Sequence, residues 1–170
     1  MEKTTLQGYG IVTDQLSCDL GGFKEVISPE ALKGIIERSD VMFLLNHCDN
    51  RGLLARSTNG RGSLKLSVDN KGLRFEFEVP NYSLGHELAE NVRRGDVRGC
   101  SFGFHLSADG SDERWEKGSN GMLYRTVIRF SVLGEISACY NPAYRQTSIE
   151  VKASSRSELH RQHNLLKATI

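Results

Sequence analysis

The chain has 170 residues, 38% hydrophobic and 25% charged, with 22 Lys and Arg against 21 Asp and Glu. That length suits one domain with its own core and is tight for two. A net charge of +1 gives no bulk electrostatic drive toward nucleic acid, no apolar run reaches membrane-spanning length, and the polar start Met1-Glu2-Lys3-Thr4-Thr5 does not read as a secretory signal.

Residues 7–13 read as a first strand with glycines that permit close packing, followed by a loop over 14–22 and a short extended segment over 23–27. Ser28-Pro29-Glu30-Ala31 is a helix start: serine as N-cap, proline at the first helical position, an acid in the first turn. The helix is expected to run to about Arg38, with Leu32, Ile35 and Ile36 as its buried stripe. Val41 to Leu45 is an apolar run of strand length ending at Asn46-His47-Cys48-Asp49-Asn50. Strands over 52–57, 63–68 and 73–79, separated by glycine-containing turns, read as an antiparallel β-meander. Pro80 ends it, and Ser83 to Arg94 is helical, with Leu84, Leu88 and Val92 on one face and Gly95 as the stop.

The next stretch, Gly99-Cys100-Ser101-Phe102-Gly103-Phe104, reads as a strand. Phe102 and Phe104 share its core face with Cys100, whereas Ser101, Gly103 and His105 share the other, where Gly103 leaves space beside the hydroxyl. Residues 108–121 read as a polar surface excursion carrying Trp115, and 122–136 as a long β pattern broken near Leu133-Gly134. A turn at Asn141-Pro142-Ala143-Tyr144 precedes a last strand over 148–151, and from Ala153 the composition becomes linker-like, with a short amphipathic helix drawn over 158–168. About eight strands and two helices with mostly antiparallel connections point to an α+β, mainly β fold. Its economical form is a closed or nearly closed antiparallel-rich β-barrel with surrounding helices, since closure removes exposed edges.

Five histidines and four scattered cysteines are the chemical candidates. His160 and His163 fall in the polar tail, His86 lies off the apolar helix stripe, and His105 follows Phe104 on the Ser101 face. His47 stands just past a buried strand, where no periodicity explains it, so both a turn residue and a catalytic residue fit. A serine hydroxyl needs a neutral imidazole to take its proton, a third group to orient that imidazole, and backbone N–H donors for the oxyanion. A turn at Arg98-Gly99-Cys100 is one source of such donors. His47, Cys48, Cys100 and Cys139 are zinc ligands by type but lack ligand spacing, so free thiols of a reducing compartment, and no metal or cofactor, are expected.

In order along the chain, Gly8-Tyr9-Gly10, Ser28-Pro29-Glu30-Ala31-Leu32, Val41-Met42-Phe43-Leu44-Leu45-Asn46-His47, Gly52-Leu53-Leu54-Ala55, Lys71-Gly72-Leu73, the run from Arg94 to Phe104, Leu133-Gly134-Glu135-Ile136-Ser137 and Asn141-Pro142-Ala143 resemble the prohead maturation proteases of tailed bacteriophages. That serine protease family is related in fold to the herpesvirus assemblin proteases. The resemblance covers roughly residues 7–151. It implies Ser101 as nucleophile and His47 as general base. Family members use an acid or a second histidine as the third member. Glu135 is the preferred candidate, with His105 and Asp49 as runners-up. In the family pattern an acid directly follows the histidine, whereas here Cys48 intervenes before Asp49.

The resemblance further implies an endopeptidase acting in the host cytoplasm, inside the assembling prohead. Its substrates would be scaffold or the scaffolding region of the major capsid protein, and itself, with no membrane or nucleic-acid partner. Homo-oligomerisation is left open. The protease domain is drawn as 1–152 and the tail as 153–170. The rival readings are a non-catalytic capsid-assembly module on the same barrel and a metal-dependent hydrolase.

Overall fold

The computed structural model describes residues 3–153, so the tail expected from 153 lies, but for its first residue, outside the described residues. In chain order the elements are β1 (Thr5–Val12), β2 (Phe23–Ile27), α1 (Ile35–Arg38), β3 (Asp40–Leu45), β4 (Ala55–Thr58), β5 (Arg61–Gly62), β6 (Lys65–Val68), β7 (Gly72–Glu78), α2 (Ser83–Arg94), β8 (Gly99–His105), β9 (Glu113–Lys117), β10 (Leu123–Val127), β11 (Val132–Cys139) and β12 (Ser148–Val151). The fold is α+β and mainly β.

The expected barrel is not formed. The strands make three separate sheets, ordered β12-β1-β7-β6, β2-β10-β9 and β5-β4-β3-β11-β8, and none closes on itself. The meander splits, because β4 and β5 fold back on β3 whereas β6 pairs with β7 in another sheet. The long pattern over 122–136 also divides: β10 lies parallel to β2, and β11 lies between β3, to which it is parallel, and β8. Parallel partners so distant in sequence leave no local turn signal. Two of the edges are limited by shortness or polarity instead of closure: β5 has two residues, and β6 is largely exposed.

Two further local expectations are revised. Ser28 does cap a helical turn, its hydroxyl accepting from the Glu30 N–H, but the turn Pro29–Leu32 is 3-10 and Lys33 leaves it in extended conformation. Gly34, at φ 60°, then restarts the chain as the single turn of α1, so no continuous helix reaches Arg38. The polar excursion contains β9, which pairs with β10 and carries Trp115 opposite Arg125.

One core lies between the sheets. Phe43 of β3 meets Phe75 and Phe77 of β7 at ring-centroid distances of 4.8 and 4.6 Å, and Leu6, Leu88, Val127 and Ile136 join the same fully buried cluster. Each such side chain contributes about 1.5–3 kcal/mol of burial. α2 supplies Leu84, Leu88 and Val92 and stops at Gly95, whose φ of 77° lets its N–H reach the Asn91 and Val92 carbonyls. Among the described residues no helix is long and apolar enough to cross a membrane.

Candidate active site

The site is built on the five-stranded sheet, where β11 lies between β3 and β8. Register places Ser101 opposite Ser137 and Gly103 opposite Glu135 on β8 and β11. On its other side Glu135 is level with Met42 and Ser137 with Leu44 of β3. Glu135 reaches this face because of a bulge: Leu133 is opposite Phe104 and Glu135 opposite Gly103, with Gly134 extra between them. Without it, Leu133 and Glu135 would share a face. With it, Leu133 is fully buried in the core and Glu135 is turned toward the serine side.

His47 is delivered by the turn that ends β3. Cys48 N–H donates to the Leu45 carbonyl at 3.2 Å, and both central residues, Asn46 and His47, have positive φ (54° and 58°). Left-handed backbone is unfavourable for residues with a Cβ, so other contacts must hold it. Asn46 N–H donates to the Ala138 carbonyl at 2.8 Å, and His47 N–H donates to Ser137 Oγ at 3.1 Å. The turn is thereby fastened to β11 at two successive residues.

The side chains complete the arrangement. His47 Nδ1–H donates to Glu135 Oε1 at 2.6 Å. Because a carboxylate only accepts, a neutral imidazole here must carry its hydrogen on Nδ1, which leaves Nε2 as the acceptor nitrogen. Ser137 Oγ–H donates to Glu135 Oε2 at 2.5 Å, so both carboxylate oxygens are held. Glu135 is 15% exposed and His47 46%, which leaves the imidazole reachable and its partner shielded. Gly103 has a use unlike the one its sequence suggests: a Cβ there would come within 2.9 Å of Glu135 Oε1, so its bareness makes room for the carboxylate.

The other candidates are elsewhere. His105 is exposed at the end of β8, where its carbonyl accepts from Ser131 N–H and Oγ. Asp49 is exposed in a 3-10 turn over Asp49–Arg51, and no hydrogen bond among the described residues joins it to His47. Arg98-Gly99-Cys100 is no turn, since Gly99 and Cys100 are strand and Cys100 N–H is taken by Thr147 Oγ1 at 2.9 Å. Cys100 and Cys139 are buried free thiols. Burial, and then the negative charge of Glu135, push the Cys139 thiol up to about 11, while burial raises Cys100 well above the ordinary thiol value. Cys48 Sγ–H donates to Asn50 Oδ1. Among the described residues no three His, Cys, Asp or Glu side chains converge as metal ligands. Sequence reasoning missed Ser137 as a partner of Glu135. Its signal was the alternation Glu135-x-Ser137, which puts the two on one strand face.

The caudovirus prohead serine protease family model matches residues 1–162. Among solved structures, the chain resembles the KSHV protease in complex with a hexapeptide phosphonate inhibitor, at 13% identity and a TM-score of 0.54, covering 99% of this chain and 77% of that one. At that identity the likeness is one of fold. No curated protein matches the sequence.

Proposed function

The chain belongs to the caudovirus prohead serine protease family, and from that membership we propose that Ser101 is its nucleophile, His47 its general base and Glu135 the group that orients the base. The observation that carries the assignment is the 2.6 Å His47–Glu135 hydrogen bond, on the sheet face that also bears Ser101. Ser101 Oγ attacks the scissile carbonyl while its proton passes to His47 Nε2, and the Glu135 carboxylate holds the resulting imidazolium. Collapse of the tetrahedral intermediate breaks the C–N bond as His47 returns the proton to the leaving amine. Water, activated by the same imidazole, then releases the acyl group from Ser101. Among the described residues no hydrogen bond joins Ser101 to His47 in the resting protein; such contacts commonly tighten only when substrate binds.

A peptide substrate has a natural seat. β8 is the edge strand of its sheet. Thr147 Oγ1 brackets Cys100, accepting from its N–H and donating to its carbonyl, so the Cys100 backbone faces away from β11. By strand period, Phe102 and Phe104 turn their N–H and C=O groups the same way. An extended peptide pairing with that edge brings a carbonyl beside Ser101. The substrates are the scaffold or the scaffolding region of the capsid protein, and the protease itself, cut inside the assembling prohead. Residues 1–152 form the protease unit.

Coexpression with the capsid precursor tests the assignment. Ser101→Ala and His47→Ala should each abolish processing as read by gel and mass spectrometry, and full processing by Ser101→Ala would sink it.

A further inference from the structure

The face of β8 turned away from the Ser101 hydroxyl carries a second feature. Phe102 and Phe104 alternate as core residues, yet both stay half-buried. They border a recess of about 240 Å³ that reaches Ser101. Tyr144 stacks on Phe102 with centroids 5.5 Å apart, and Phe23 and Ala143 extend the apolar lining. The volume falls below the ~300–1,000 Å³ of sites that hold whole small molecules and suits a single side chain.

One wall of the recess is polar but closed. Glu25 is buried, its Oε1 accepting from Tyr144 Oη–H at 2.8 Å and its Oε2 from Arg125 Nη1–H at 3.0 Å. Arg125 Nε–H is taken by Glu113 at 2.6 Å, and the guanidinium carbon lies 5.8 Å from the Phe104 ring centre. Burial pushes the Glu25 carboxyl above its ordinary range, against the opposing pull of Tyr144 and Arg125. An incoming ammonium would have to compete with Arg125 for Glu25, and an incoming carboxylate would sit beside Glu25 and Glu113, which already share the one guanidinium; in a half-apolar recess both are costly.

A peptide strand along the free edge of β8 alternates its side chains between the two sheet faces. One set lies toward Ser101 and His47, the other toward this recess. We infer that the recess is the specificity pocket of the protease: it takes one uncharged, apolar side chain of leucine, methionine or phenylalanine size, from a residue within two positions of the scissile bond. The inference rests on the proposed role of Ser101.

The test is cleavage by the full chain of peptides spanning a mapped processing site, each of the four positions nearest the bond replaced in turn by Leu, Met, Phe, Ala, Lys and Glu. At one position the large apolar residues should exceed Ala, Lys and Glu in kcat/KM by tenfold or more. Ala143→Leu, which fills the recess, should cut the Leu-to-Ala ratio at that position at least tenfold. A flat profile, a preference for Lys or Glu at every selective position, or a ratio unmoved in Ala143→Leu overturns the inference. The wild-type series decides even where Ala143→Leu does not fold. Labelling of Ser101 by a small fluorophosphonate separates the two readings. A labelled enzyme without the preference loses only the pocket, whereas an enzyme unlabelled at Ser101 loses the site on which the pocket depends.

Discussion

At the scale of single residues, the proposed assignment has Glu135 acting through His47 and Ser137 acting through Glu135. Losing the carboxylate leaves the wrong imidazole tautomer equally accessible, so Glu135→Ala should lower kcat by about two to four orders of magnitude with little change in KM. Ser137→Ala removes a hydrogen bond to a charged group, worth about 1.5–3 kcal/mol, and should slow turnover roughly 10- to 100-fold. The double variant separates positioning from packing: on a Glu135→Ala background, Ser137→Ala should cost little more. A full second loss would mean that Ser137 serves the fold alone. His47 was a candidate by position, but it and Glu135 were given roles only through a family resemblance, since neither residue lies in a pattern that distinguishes a catalytic side chain from a turn histidine or a surface acid. Ser137 and the use of Gly103 were not legible. Both depend on the pairing of β8 with β11, and strand register across 30 residues is not written in either strand alone.

At the scale of elements, the bulge at Gly134 decides which face the carboxylate takes, and the bare Gly103 opposite decides whether it fits. Gly103→Ala should therefore leave secondary structure unchanged by circular dichroism while lowering kcat at least tenfold, because the new methyl displaces Glu135 from the imidazole. Wild-type turnover in that variant would contradict the geometry. The interruption near Leu133-Gly134 was visible in the sequence, but as a break; its effect on facing needed the partner strand. α2, by contrast, was legible end to end, since its apolar spacing, basic last turn and glycine stop are all local. The helix expected over 29–38 failed for an equally local reason, the left-handed Gly34, which the apolar stripe concealed.

At the scale of the whole molecule, the sequence conveyed the mainly β character and the single core but not the arrangement of three sheets. Turn signals report hairpins, whereas β2–β10 and β3–β11 are parallel pairs assembled from distant segments. The packing makes its own prediction about the thiols. At pH 8, iodoacetamide should modify exposed Cys18 and half-buried Cys48 in the native protein, and reach Cys100 and Cys139 only after unfolding. The last two are buried, and their raised pKa values leave almost no thiolate at that pH. Rapid native labelling of Cys139 would mean that the sheet opens beside Ser101. The central claim, that this sheet holds a nucleophile activated by His47, is tested most directly by fluorophosphonate labelling followed by peptide mapping. One adduct on Ser101 in the wild-type chain, lost in His47→Ala, is the predicted result; an adduct on another residue, or equal labelling without His47, would contradict it.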